Sequence, residues 1–396
     1  MVVSAQSQST SYSAFQSIAQ INFQTGELCI IGDGAISLAA GCILSGGKQN
    51  LRIWSPKQKS VQNKQLPGEF EVRERGAHSV GLRVKTAFSV VSDDCKTALG
   101  SAEAVVIASP ATEYGVLAKT LAPFLKIGQT IYLVNAPVAG GLEFSNRIKS
   151  INEDLQLNII ELGGLFDHAK IVDGVLLITG QRDKISMCGN SRNETRRGLE
   201  IANTLSRELV PCSNVLERGF SEVERLIRPA LLLFAVLGAR GRELDCISNS
   251  INPALTSVVV AMETELQALA KVFKCIVHNF FDTLNDFNGA EDADCLDQAL
   301  ISVARSLLVQ SLSAKTSSDS IPIDVAVDIL KRDVCETLVL ISELGRLSRT
   351  PVPVINSVIQ LASTVSKTDL EKQGRSLSDL GLLGFDFHEI GELINA

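Results

Sequence analysis

From Gly26 to about Gly189 the chain alternates short apolar runs with longer amphipathic stretches. The runs are Leu28–Gly32, Leu51–Ser55, Ala104–Pro110, Ile131–Asn135, Asn158–Leu162 and Gly174–Thr179. They are rich in Val, Ile and Leu and lack polar alternation, which predicts strands buried on both faces of a parallel sheet. The segment from Pro56 to about Ser79 breaks the rhythm. It carries Lys57, Lys59, Lys64, Arg73 and Arg75 with little periodicity and is expected to be an excursion beside the second strand. Beyond Pro211 the spacing becomes helical. Pro253 to about Ile276, Cys295–Leu312, Ile323–Leu347 and Val354–Val365 are expected helices, with Pro253 suited to a first turn. Lys315–Ser320 reads as a polar linker between them. An α/β domain over 26–210 followed by an all-helical domain over 211–396 is the expected layout.

Composition supports that division. A chain of 396 residues with 45% apolar and 20% charged residues suits two buried cores. Aromatics supply only 5%, so those cores must be aliphatic. The net charge of −7, without a basic stripe, argues against nucleic acid as the main partner. No run approaches the ~18 apolar residues of a membrane span. The first twenty residues are rich in Ser and Gln and lack a basic start, so residues 1–25 are expected to be a disordered leader. Nine scattered cysteines without a Cys-x-x-Cys pair point to a reducing cytoplasm and to no metal site.

The most informative motif follows the first strand: Gly32-Asp33-Gly34-Ala35-Ile36-Ser37. Gly32 permits a tight turn, and Gly34 lets the backbone approach a pyrophosphate at a helix N-terminus. Ser37 replaces the third glycine of G-x-G-x-x-G with another small residue. A strand on one side and a helix on the other make this a dinucleotide site, hence a Rossmann-like doubly wound nucleotide-binding domain.

About twenty residues on, an NAD site usually has Asp or Glu for the ribose. This chain has Ser55, with Lys57 and Lys59 close behind. Hydroxyl and cations suit a 2′-phosphate, so NADP is favoured over NAD. The lysines as an ordinary solvated surface is the alternative. Pro110, Ala111 and Thr112, and likewise Asn135 and Pro137, lie at strand ends where a doubly wound sheet meets its cofactor. Ordinary turn chemistry explains both segments as well.

Leu51-Arg52-Ile53-Trp54-Ser55-Pro56, Arg332-Asp333-Val334, Ile341–Leu347, Pro351-Val352-Pro353 and Gly374-Arg375-Ser376-Leu377 fall at characteristic spacings. With the glycine motif they resemble the octopine/nopaline (opine) dehydrogenases from Gly26 to the C-terminus. The resemblance implies reductive condensation of an amino acid with an α-keto acid by a nicotinamide cofactor, with both substrates between the domains. It also implies a proton-handling histidine in a His-Pro element. Here Arg228 precedes Pro229, and Glu224 and Arg225 stand where Asn-Pro is expected.

Arginine stays protonated near neutral pH and cannot act as a general base. Arg228 is therefore expected to bind a carboxylate or stabilise an oxyanion. Glu224, one turn earlier, is either a replacement acid/base or the ion-pair partner of Arg228. Only four histidines exist, and His168 is the best placed, either as a catalytic substitute or as a surface-turn residue. Glu161 loosely fits an acidic substrate-binding position, and Glu263 or Glu265 is a further candidate for the cleft.

Two functional classes remain: an active NAD(P)H-dependent oxidoreductase of opine type, and a weakly catalytic nucleotide-binding sensor on the same scaffold. A simple keto-acid reductase is a third. The expected partners are an amino acid and an α-keto acid, with a homodimer entertained as the assembly.

Overall fold

The computed structural model describes residues 27–45, 50–56, 66, 68–73, 82–86, 88–182, 184–202, 208–239, 241, 243–244, 250–288, 293–301 and 321–395. The leader, Lys57, Lys59 and the Lys315–Ser320 linker lie outside the described residues.

Eight strands form the main sheet. They are β1 (Leu28–Ile31), β2 (Leu51–Trp54), β5 (Phe88–Ser92), β6 (Ala104–Ile107), β7 (Thr130–Val134), β8 (Asn158–Leu162), β11 (Lys184–Gly189) and β12 (Glu208–Pro211). Their order is β12-β11-β8-β7-β6-β1-β2-β5. The strands from β5 to β8 across the sheet are all parallel. Residues along β1 alternate between two cores, as the period of two requires. Leu28 and Ile30 join Leu38, Ala39 and Ile43 of helix α1 (Ala35–Ser45) on one face. Cys29 and Ile31 join α2 (Cys95–Leu99), α3 (Tyr114–Leu121) and α4 (Gly140–Lys149) on the other. This is a Rossmann-like α/β domain.

Three sequence expectations need correction. The main sheet is not wholly parallel, because β11 runs antiparallel to β8 and carries β12 parallel to itself at the edge. The Gly174–Thr179 run does not enter this sheet at all. Asp173 and Gly174 both take positive φ, 49° and 76°, and reverse the chain into a hairpin. Strand β9 (His168–Val172) then pairs antiparallel with β10 (Val175–Thr179). The Pro56–Ser79 excursion supplies β3 (Glu69–Arg73), which pairs with β10 and with β4 (Leu82–Lys85). The resulting four-stranded sheet covers α1 through Phe70, Ala169, Leu176 and Ile178.

Helix α5 (Arg192–Ala202) packs back on β8 and β11, and after β12 the chain turns helical. The next elements are α6 (Val215–Phe220), α7 (Val223–Gly238), α8 (Pro253–Val272) and α9 (Phe280–Asn288). Asn252 caps α8 through the backbone NH groups of Ala254 and Leu255. The Ile323–Leu347 stretch is α10 (Ile323–Asp333), a π-helical turn over Val334–Leu338, and α11 (Val339–Ser348). Helices α12 (Pro353–Ser366), α13 (Leu370–Gln373) and α14 (Phe387–Asn395) complete the described chain. These helices share one aliphatic core that also takes in Val138 and Ala139 from the loop after β7. Among the described residues no helix is long and apolar enough to cross a membrane.

Candidate active site

Parallel strands end on a common edge, so the loops after β1, β2, β6, β7 and β8 emerge together. The chain runs outward from β1 through β2 to β5, then crosses to β6. A crevice for ligand therefore opens outside the carboxyl ends of β1 and β6.

Gly32 follows β1 with φ +97° and donates its NH to Trp54 O at 2.8 Å. A side chain there would be strained by the backbone and would meet Ser37 Oγ at 3.2 Å. Gly34 is exposed, and a Cβ at that position would meet nothing within 4 Å. Ala35 then opens α1, with Ile36 exposed and Ser37 buried under the turn. An open glycine at a helix N-terminus, facing the switch point, fits a dinucleotide pyrophosphate.

Ser55, at the end of β2, is 1% exposed and donates its hydroxyl to Asp33 Oδ2 at 2.9 Å. The hydroxyl expected to meet a 2′-phosphate is thus engaged by a carboxylate, while Lys57 and Lys59 lie outside the described residues. After β6, Pro110 leads into a single 3-10 turn over Ala111–Glu113, with Thr112 exposed at the crevice edge.

Three arginines of the helical domain grip the loop after β7. Arg225 Nε donates to Asn135 Oδ1 at 3.2 Å, and its Nη2 to Asn135 O. Arg218 Nη2 donates to Ala136 O and Pro137 O at 2.9 and 2.7 Å. Arg375 Nη1 donates to Val138 O at 2.8 Å. Four successive carbonyls are thereby satisfied from the other domain. Asn135 and Pro137, expected beside the nicotinamide, are the hub on which the domains dock. Positive φ at Asn135 and Ala139 bends the loop to present those oxygens.

The same arginines pair with buried acids. Arg218, 0% exposed, donates Nε to Glu161 Oε2 at 2.8 Å, and Glu161 Oε1 accepts from Gly141 N at 2.7 Å. Glu161 is therefore enclosed in the domain contact. Arg375 Nε meets Glu143 Oε2 at 2.6 Å, and Arg225 Nη1 meets Glu336 Oε2, in the π-helical turn, at 3.0 Å.

Arg228 and Glu224 each meet a charged partner elsewhere in the chain. Arg228 sits inside α7 and holds Asp333 with both Nε and Nη2, the latter at 2.8 Å. Glu224 meets Arg182 Nη2 at 2.7 Å. The bidentate fork expected for a substrate carboxylate is thus turned on a carboxylate of the protein. His168 opens β9 opposite Thr179 in the small sheet. Glu265 accepts from the NH groups of Val354 and Ile355 and caps α12, while Glu263 accepts from Phe280 N. Burial pushes the Cys29 and Cys42 thiols up to about 12, which keeps them neutral.

Burial alone would raise the Asp333 carboxyl, but the Arg228 charge and hydrogen bonds, helped by Arg332 and Arg225, hold it below the ordinary range. A folded pKa below the unfolded one adds stability that is complete above the unfolded value of about 3.9. That contribution is lost as pH falls through the folded pKa. Urea unfolding between pH 7 and 3 is expected to show the loss only at the acid end. An Arg228→Met/Asp333→Leu variant should have a flatter profile there, and identical profiles would contradict the assignment.

The family model for the NAD/NADP octopine/nopaline dehydrogenase alpha-helical domain matches residues 211–366. Over that stretch the chain is similar to the octopine/nopaline dehydrogenases. An opine dehydrogenase from Arthrobacter sp. (strain 1C) is 25% identical over 359 residues, covering 89% of this chain and 94% of that protein. Octopine dehydrogenase solved with NADH and L-arginine superposes with a TM-score of 0.70 at 13% identity, covering 94% of this chain and 98% of the other. Yersinopine dehydrogenase with NADP+ bound gives 0.62 at 16% identity, with 94% and 98% covered. The fold is that of NAD(P)-dependent oxidoreductases of opine-dehydrogenase type, and such relatives are solved with either NADH or NADP+.

Sequence reasoning singled out the glycine turn but not Arg218, Arg225, Asp333, Glu336 or Glu143 as an interdomain network. Arg375 stood in a family-like element without a role attached. Buried arginines are rare unless paired, so the arginines of the helical domain were the available signal.

Proposed function

We propose that this chain catalyses NAD(P)H-dependent reductive condensation of an amino acid with a small α-keto acid. The observation that carries the reading is the open Gly32–Ser37 turn at the sheet's switch point, facing a helical domain of octopine-dehydrogenase type. Gly32, Gly34 and the first turn of α1 would hold the pyrophosphate, with Asp33 and Ser55 towards the adenosine ribose. Pro110–Thr112 and Asn135–Pro137 would border the nicotinamide end. When bound, the nicotinamide supplies the hydride that reduces the substrates' C=N bond.

The arginine grip on Asn135–Val138 keeps the helical domain seated over the carboxyl ends of the strands. A seated domain excludes water, which matters because an imine formed with loss of water is hydrolysed when water returns. The support for NADP(H) from the sequence now rests on Lys57 and Lys59, since Ser55 is engaged by Asp33. Free, mostly buried cysteines suit a cytoplasmic enzyme, and a homodimer is the assembly to look for.

The Arg228–Asp333 pair favours a second reading, a nucleotide-binding sensor with little turnover, because the position expected to handle protons is closed by a protein carboxylate. The deciding assay follows NADH and NADPH oxidation with pyruvate and other keto acids, with and without a panel of amino acids. Turnover that requires the amine is the expected result. Turnover on the keto acid alone would make the chain a simple reductase, and tight cofactor binding without turnover would make it the sensor.

A further inference from the structure

We infer that Asp33 is the ribose-reading residue of this chain and selects NAD(H) over NADP(H). The inference rests on the dinucleotide reading and deepens it.

Strands β1 and β2 pair with Ile31 opposite Trp54, so the residues just beyond them leave the sheet side by side. Gly32 N is tied to Trp54 O, which fixes where the chain turns. Asp33, the next residue, reaches Ser55 with its Oδ2 at 2.9 Å. A carboxylate therefore stands at the carboxyl end of β2, the place where an acid receives the 2′-hydroxyl in NAD sites. Here it comes from the glycine turn and not from β2 itself. That origin is why the spacing rule of about twenty residues does not find it.

Ser55 acts as a positioning residue. It is 1% exposed, its NH is fixed to Ser92 O at 2.9 Å, and its hydroxyl proton points the Asp33 side chain towards β2. One bond from Ser55 does not exhaust Asp33, because an ionised carboxylate offers about four lone-pair sites. Asp33 is partly exposed, so its carboxylate is open to a second donor. A ribose 2′-hydroxyl can donate to it. A 2′-phosphate brings close to two negative charges and no donor, and is repelled. Lys57 and Lys59 favour the 2′-phosphate from the sequence, and the titration below weighs them against Asp33.

Trp54, the one tryptophan of the chain, adjoins Ser55 and donates its indole NH to Asp93 O at 2.9 Å. Its emission reports dinucleotide binding without any turnover. Titration of the wild-type chain is expected to give NADH a dissociation constant about tenfold below that of NADPH, the scale of one charge contact. Asp33→Asn keeps an acceptor for Ser55 and removes the charge. It should shrink the preference about tenfold, mainly by tightening NADPH. Ser55→Ala should shrink it less, and an unchanged far-ultraviolet circular dichroism spectrum guards against misfolding. Tighter NADPH binding by the wild type would overturn the inference, as would an Asp33→Asn preference within twofold of wild type. Failure of both dinucleotides to bind would overturn the dinucleotide reading along with it. Binding of both, with a ratio insensitive to Asp33, would overturn this inference alone.

Discussion

Replacing Asp333 by alanine is expected to destabilise the folded chain by about 3–5 kcal/mol, because it leaves the Arg228 guanidinium buried without its carboxylate. Asp333 is 1% and Arg228 5% exposed, so neither charge has water to fall back on. At roughly 2–4 °C per kcal/mol for a domain of about 150–250 residues, the size of the helical domain that holds the pair, the melting temperature should fall on the order of 10 °C. The double variant Arg228→Met/Asp333→Leu removes both charges and keeps apolar volume, and it should recover most of that loss. Differential scanning calorimetry of the wild type, the single variant and the double variant decides the matter. An Asp333→Ala chain as stable as wild type would mean that Arg228 is not held structurally and is available to substrate.

The second large effect concerns the cofactor turn. Gly34→Val should fold normally, since a Cβ at Gly34 meets nothing within 4 Å and its φ is not in the left-handed region. The added isopropyl group would occupy the space that the backbone must leave for a pyrophosphate. Dinucleotide affinity is expected to fall at least about a hundredfold, equivalent to roughly 2.7 kcal/mol. Calorimetric titration with NADH and NADPH would measure it, alongside a thermal melt shifted by no more than a few degrees. Retained affinity would place the pyrophosphate elsewhere.

How much of this was readable in the sequence differs from element to element. The strand–turn–helix at Leu28–Ser45 was legible because local rules suffice: a buried aliphatic run, a glycine that turns, and a small-residue helix face. The helical domain was legible from periodicity and from elements resembling the opine dehydrogenases. The β9–β10 hairpin was misplaced although its Asp173-Gly174 turn is a local signal, because the Val175–Thr179 run resembled one more parallel strand. The antiparallel β11–β12 edge had no such signal, since strand direction is fixed by the connection and not by composition.

The site was harder to read for a different reason. Arg228 finds Asp333 at a separation of 105 residues, Arg375 finds Glu143 at 232, and Arg218 finds Glu161 at 57. A helical neighbour such as Glu224 is the natural sequence choice for Arg228, yet the packing of α7 against α10 supplies Asp333 instead. Asp33 was noted only as part of the glycine turn. Its pairing with Ser55 depends on β1 and β2 lying side by side, which spacing alone does not reveal. Tertiary geometry chose the partners, and the residues alone offered several.

Following the hydride into the product tests the proposed reductive condensation. The chain is incubated with NADH or NADPH deuterated at the transferable position, pyruvate and a panel of amino acids, and the products are examined by mass spectrometry. The expected product joins the amino acid and the keto acid with loss of water and carries one deuterium on the carbon that was the keto carbon. Deuterated hydroxy acid formed without the amine, or no deuterium transfer to any product, would contradict it.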